Sequence, residues 1–375
     1  MTHVPTLRPT RRRRTSFAAA AAGAGVLALA LAGCSGSPSP SASGSATGGA
    51  GTGKTLNVVA TTTQVADLAR NVAGDQVELA QLLQPNQSAH HFDPTAADLA
   101  TLAKADVLVI SGAGLETWVD SVVDASGFQG TVVDTAEGIT LSGEAEDEDE
   151  HDHADGDEHA EDDEHADEHG DSAVDEELAH DEAASGNPHT WTDPNNAKIM
   201  VDNIAKGLAA ADPAGAATFE ANAAAYDARL TELDTWIKTN VDQVAQADRL
   251  VVSNHDAFHY YLDRYGITFV GSIIPSFEDN AEPSAAQIQK LVDKIKELGV
   301  KAIFSESSIS DKTATSIAST AGVKVYSGDD ALYGDSLGEA GSDGATYIAA
   351  TVHNTEMFLE SWGVTPSALP SDLES

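Results

Sequence analysis

Thirteen histidines are spread unevenly along the 375 residues, and their placement is the first sign of chemistry. His3 lies near the start, and His151, His153, His159, His165, His169 and His180 share one acidic run, which leaves His90, His91, His189, His255, His259 and His353. Of these, His90 follows a β-branched run ending near residue 83, His189 comes just before Asp193-Pro194, and His255 directly follows a run over 250–253. Asp335 sits in the loop after the run 323–326. Ligands of open α/β sheets bind beyond the carboxyl ends of strands, so groups in such loops from two halves of a chain can meet in one crevice. A single loop histidine is usually a solvated or capping residue; four positions of this kind together point to a metal. Three neutral imidazoles and one carboxylate fill a tetrahedron that suits Zn²⁺ without needing a bound water. Each imidazole also needs a partner on its other nitrogen, for which Asp193, Asp256, nearby carbonyls and Glu306 are candidates.

The elements that must position these groups alternate. Short apolar runs over 56–60, 77–83, 107–111 and 130–134 are separated by amphipathic stretches at 65–72 and 94–103, the signature of βαβ units on a parallel sheet. Helices are expected at 194–210 and, as a long connecting strut, at about 214–244, where Phe219, Tyr226, Leu230, Leu233, Ile237 and Val244 recur at helical spacing. The alternation then resumes with strands at 250–252, 268–271, 302–304 and 323–326 and helices at 257–265, 284–298, 312–321 and 344–361. The expected fold class is therefore α/β: two (β/α) Rossmann-like lobes with parallel sheets, 55–213 and 247–375, joined by a backbone helix at 214–246, with the metal site in the cleft between them.

The net charge of -40, from 60 acidic against 20 basic residues, excludes nucleic acid as a partner, because a phosphate backbone would be repelled. Much of that charge is local, since 22 of the 60 acidic residues lie within 144–182. That run reads as a disordered loop, 144–186, serving either as a solvated spacer or as a set of weak auxiliary zinc sites at His151, His153, His159, His165 and His169. Ahead of the folded part, Arg11 to Arg14 precede a short apolar region ending in Leu31-Ala32-Gly33-Cys34. This is the pattern of a lipoprotein signal peptide, 1–34, with lipidation at Cys34 and a Ser/Gly-rich tether at 35–54. Cys34 is the chain's one cysteine, so no internal disulfide is possible. The expected location is the outer face of the cell membrane, with the membrane as partner through the lipid anchor.

Several strings resemble a known family. His90-Phe92-Pro94 at alternate positions, Asn187-Pro188-His189-Thr190-Trp191-Thr192-Asp193-Pro194, Ser253-Asn254-His255-Asp256-Ala257-Phe258 and Asp335-Ser336-Leu337-Gly338 resemble the cluster A-I metal-binding proteins of ABC importers, in particular the ZnuA-like, TroA-like zinc branch. The resemblance runs from about 55 to 363. It implies two lobes gripping one metal, His90, His189 and His255 as imidazole ligands and Asp335 as the carboxylate. It further implies a monomer that delivers Zn²⁺ to an ABC permease and its ATPase, and a His- and acid-rich insertion like 144–182. The family's usual Gly-x-Asp-Pro is replaced here by Asn86-Gln87-Ser88-Ala89, and His91 adjoins His90, so either imidazole could face inward; spacing to Phe92 and Pro94 favours His90. Manganese carriers of the family place a carboxylate where His255 stands, so zinc is expected, with manganese or another divalent metal as the alternative. A zinc metallohydrolase is the rival from another class, but no nucleophile elbow, phosphate loop or zinc-protease motif is present. His259 and His353 lie in expected helices and read as packing residues, and Trp191 as an aromatic packed beside the site.

Overall fold

The computed structural model describes residues 55–143, 186–277 and 279–374. Cys34, the tether and the acidic run with His151, His153, His159, His165 and His169 lie outside the described residues.

The first lobe is built on β1 (Leu56–Ala60), β2 (Val77–Gln81), β3 (Val107–Ile110) and β4 (Thr131–Asp134), all parallel in the order β2-β1-β3-β4. Helices cover both faces, which is why the central strands read as unbroken apolar runs rather than as alternating ones. The β1–β2 ladder continues past β2, with Leu82 N donating to Ala60 O at 2.9 Å and Leu83 N to Thr61 O at 3.0 Å. Helix α1 (Thr63–Ala73) starts where Thr62 Oγ1 accepts from Val65 N, and α2 (Ala96–Leu102) starts in a capping box of Thr95 and Asp98. Helix α3 (Val119–Ser126) was not expected from the sequence. Its string Val-Asp-Ser-Val-Val-Asp-Ala-Ser is rich in β-branched and capping residues, and burial of Val122 overrides that weak propensity.

Helix α4 (Pro194–Ala211) opens on Asp193, whose carboxylate accepts from Asn195 N, with Pro194 at the first helical position. Helix α5 (Ala216–Val241) has 26 residues, roughly 39 Å of rod, and packs on α1, α4 and the last helix, α9 (Tyr347–Ser361).

In the second lobe β5 (Leu250–Ser253) pairs parallel with β6 (Thr268–Ser272), and β7 (Ala302–Phe304) pairs parallel with β8 (Lys324–Tyr326). The expected strands are present, but among the described residues they form two pairs rather than one ladder, with β7 lying beside β5. Between β5 and β6 the register slips at Val251/Val252, where Gly271 adopts φ +152°, a conformation that glycine tolerates. Helices α6 (His259–Arg264), α7 (Ala285–Leu298) and α8 (Lys312–Ala321) complete the lobe. Period-two alternation divides its core: Val251, Ala302 and Phe304 face a cluster continuous with the first lobe, while Val252 and Ile303 face a separate cluster under α7 and α8. The result is the expected α/β architecture, two lobes with parallel strands joined by a long helix.

Candidate metal site

Four loops at the carboxyl ends of strands bring His90, His189, His255 and Asp335 together, with one donor atom from each within 4.8 Å of the others. All four side chains are buried. His90 lies on the loop after β2, which turns at Asn86 with φ +64°. Beyond the turn, Trp118 Nε1 donates to Ala89 O at 3.1 Å and the Phe92 and Trp118 rings pack at 4.8 Å. Trp118 sits at the start of α3, so the unexpected helix is what anchors this loop. Of the two neighbours, His90 faces the other three groups, while His91 turns outward to Asp279 at 3.1 Å.

His189 and His255 are each fixed through Nδ1. Asn187 Nδ2 donates to Asp256 O at 2.6 Å, which leaves Asn187 Oδ1 to accept from His189 Nδ1 at 2.7 Å and from His189 N at 3.0 Å. Glu306 Oε1 accepts from His255 Nδ1 at 2.8 Å. A carboxylate can only accept, so Nδ1 carries the proton and Nε2 is turned toward the centre. The orienting partners are thus Asn187 and Glu306. Asp193 instead caps α4, and Asp256 contributes its carbonyl to Asn187. Asn187 and its role escaped the sequence reading; its position two residues before His189 in Asn-Pro-His was the available signal.

The donor atoms fit a small cation. His189 Nε2 lies 3.2 Å from His90 Nε2 and 3.3 Å from His255 Nε2. Asp335 Oδ1 is 3.1 Å from His189 Nε2 and 3.4 Å from His255 Nε2, while Oδ2 is 3.4 Å from His90 Nε2. Zn–N bonds of about 2.0–2.1 Å give a regular tetrahedron with edges of roughly 3.3–3.4 Å. Among the described residues neither oxygen of the buried Asp335 has a hydrogen-bonding partner of good geometry, and imidazole nitrogens this close set lone pair against lone pair unless a proton or a metal ion lies between them.

The electrostatics are strongly coupled. Burial holds the His189 imidazole down at about 4, only partly offset by Asp335. Burial would also lower His255, but the carboxylates of Glu306 and Asp335 outweigh it and hold the ring well above the ordinary imidazole range. Burial pushes Asp335 upward, and the neighbouring His255 and His189 more than reverse this, leaving it well below the usual carboxylate range. Burial raises Glu306, with His255 opposing.

The segment carrying Asp335 is also gripped by the first lobe. Gln64 Nε2 donates to Gly334 O at 2.9 Å, Leu337 N to Thr63 Oγ1 at 2.8 Å, and Asn86 N to Ser336 Oγ at 2.7 Å. A cavity of about 550 Å³ reaches His90 from the first-lobe side, lined in part by Glu116, Asp120, Asp134 and Phe277. Of the other described histidines, His259 Nε2 meets Ser142 Oγ at 3.1 Å and the buried His353 Nε2 meets Ala331 O at 3.0 Å, both away from the four converging groups. Trp191 packs its ring 5.2 Å from that of His189 and donates to Gly334 O at 3.3 Å.

Known proteins share this plan. The manganese-binding lipoprotein MntA of Halalkalibacterium halodurans is 28% identical over 307 residues, 82% of this chain and 88% of that protein. The iron-binding protein YfeA of Yersinia pestis is 29% identical over 296 residues, 79% of this chain and 83% of that protein. Among solved structures, the periplasmic zinc-binding protein TroA of Treponema pallidum has the same fold, with a TM-score of 0.66 at 24% identity over 82% of this chain and 99% of that one. Proteins of this kind bind and hand over solutes rather than transform them, so the metallohydrolase reading is set aside. The family model for ZnuA, the periplasmic component A of zinc-uptake complexes, matches residues 58–361, and the chain belongs to this family of metal-binding, substrate-binding components of ABC transporters.

Proposed function

We propose that the chain captures Zn²⁺ outside the cell and delivers it to an ABC permease driven by its ATPase, with His90, His189, His255 and Asp335 as ligands. The observation that carries this reading is the convergence of four buried donor groups, three of them imidazoles, with the His189 Nε2 atom 3.1–3.3 Å from the nearest donor of each of the other three. Named relatives bind manganese or iron, so the donor set must decide. Manganese favours oxygen ligands and higher coordination numbers, whereas a third imidazole at His255, in place of the carboxylate expected of manganese carriers, favours zinc. Cys34 would hold the protein to the outer face of the membrane as a lipoprotein, consistent with the lipoprotein names of relatives, and the carrier would act as a monomer. Among the described residues no helix is long and apolar enough to cross a membrane. The histidines of 144–182 would add weak zinc sites.

The test is metal analysis of protein purified without a histidine tag, followed by competition measurements of the dissociation constants for Zn²⁺ and Mn²⁺. One zinc per chain, held far more tightly than manganese, is expected. A manganese affinity equal to or above that for zinc overturns the assignment.

A further inference from the structure

Two residues outside the ligand set are arranged to control one ligand. Glu306 follows β7, and its backbone is pinned by a parallel bridge to Leu332, with Ser307 N donating to Leu332 O at 2.9 Å and Leu332 N to Ser305 O at 2.8 Å. The residue is 1% exposed. Its Oε1 accepts from His255 Nδ1 at 2.8 Å, while Oε2 has no hydrogen-bond partner among the described residues. A buried carboxylate with one orphan oxygen weakens the fold, so stability does not account for it.

Oε2 instead lies against Gly334. A Cβ added at Gly334 would fall well inside contact with Oε2, 3.1 Å from the carboxyl carbon and 3.4 Å from Ala257 Cβ. The backbone there has little freedom to move aside, because Gly334 O accepts from both Gln64 Nε2 and Trp191 Nε1 and the next residue is Asp335. One short stretch, 332–335, therefore pins the Glu306 backbone, makes room for its carboxylate and supplies a candidate ligand.

We propose that Glu306 is a positioning residue that holds His255 in register with the metal and strengthens its Nε2 donor, and that position 334 is glycine because only a missing side chain leaves space for that carboxylate. This rests on the ligand set proposed above. An imidazole that donates Nδ1–H to a carboxylate is fixed against ring rotation and is more electron-rich at the opposite nitrogen. Glu306 thus sets how tightly a metal is held without touching it, and Gly334 acts one step further away.

The experiment compares wild type with Glu306→Gln, Glu306→Ala, Gly334→Ala and the double variant Glu306→Ala/Gly334→Ala. Zinc dissociation constants are read by chelator competition and the visible absorption of Co²⁺-loaded protein is recorded, with folding checked by circular dichroism. Glu306→Gln keeps an acceptor of the same shape and should weaken zinc about 10-fold, Glu306→Ala up to about 100-fold. Gly334→Ala should match Glu306→Ala, and the double variant should be no worse than Glu306→Ala because the collision is gone. The Co²⁺ bands should shift in both alanine variants and shift less in Glu306→Gln. Folded Glu306→Ala binding zinc within twofold of wild type, or a Gly334→Ala penalty that persists undiminished without Glu306, overturns the proposal; should Glu306→Ala not fold, Glu306→Gln at wild-type affinity with an unchanged Co²⁺ spectrum does so. Wild type that fails to bind zinc tightly would instead remove the ligand reading on which it rests.

Discussion

Asn187 offers the sharpest test of how the site is held. Its side-chain oxygen accepts two bonds from His189, through Nδ1 at 2.7 Å and the backbone N at 3.0 Å, and its amide nitrogen donates to Asp256 O at 2.6 Å. The residue is fully buried, so Asn187→Ala leaves three polar groups facing a void that protein atoms cannot fill. At about 1 kcal/mol for each lost bond, the fold should lose roughly 3 kcal/mol. For a domain of this size that corresponds to a fall in melting temperature of several degrees, at about 2–4 °C per kcal/mol. Zinc binding should weaken as well, by about 10- to 100-fold, because His189 loses the partner that fixes its tautomer and plane. Asn187→Asp keeps the acceptor facing His189 but sets a carboxylate oxygen against Asp256 O, so it should retain more of the affinity than Asn187→Ala while still losing stability. Thermal melts of metal-free protein and chelator competition on the same samples separate the two effects. A clear loss of stability with an unchanged zinc constant in Asn187→Ala would refute the reasoning, and would mean that packing against Trp191 alone orients the ring.

Two further outcomes are expected. Because Glu306 and Asp335 hold His255 well above the usual imidazole range, the metal-free protein carries a proton there at neutral pH that zinc bound by the proposed ligand set would displace. Affinity should therefore weaken as pH falls, about tenfold per unit for each proton released, while His189, held at about 4, adds a second proton only in strong acid. Calorimetry in buffers of different ionisation enthalpy should find about one proton released from His255 per zinc near pH 7, and release of none would contradict the geometry. Deleting 144–182 should leave one tight zinc equivalent and remove only weak ones, as titration calorimetry would show; loss of the tight equivalent would count against the four-ligand site.

The sequence carried the lobes well because their central strands are apolar on both faces and α5 repeats its buried positions at helical spacing. It singled out the four groups that meet in the fold because histidine and aspartate at strand ends are few once the acidic run is set aside. It could not carry α3, whose β-branched residues argue against a helix until Val122 finds its place in the core and Trp118 reaches Ala89. Between His90 and His91 it offered only the spacing to Phe92 and Pro94, since adjacent loop residues differ chiefly in which way the turn at Asn86 sends them. The register slip in the β5–β6 ladder beside Gly271 is a backbone event with no periodic signal. Thr63 and Gln64, the grips on the Asp335 segment, fell between the expected strand at 56–60 and the expected helix at 65–72 and carried no signal of their own. Their position immediately beyond β1 was the only hint.

Those grips change how the ion must leave. Asp335 belongs to the second lobe by chain connectivity, yet its flanking residues are fastened to the first by three bonds from or to Gln64, Thr63 and Asn86. Pulling the halves apart would therefore have to unfasten this seam or strip the carboxylate from the metal. At about 1 kcal/mol each, the three fasteners together are worth roughly a hundredfold in rate. Unloading is then governed by more than the strength of the coordination bonds, and a transporter that empties this carrier must work on residues that never touch its cargo.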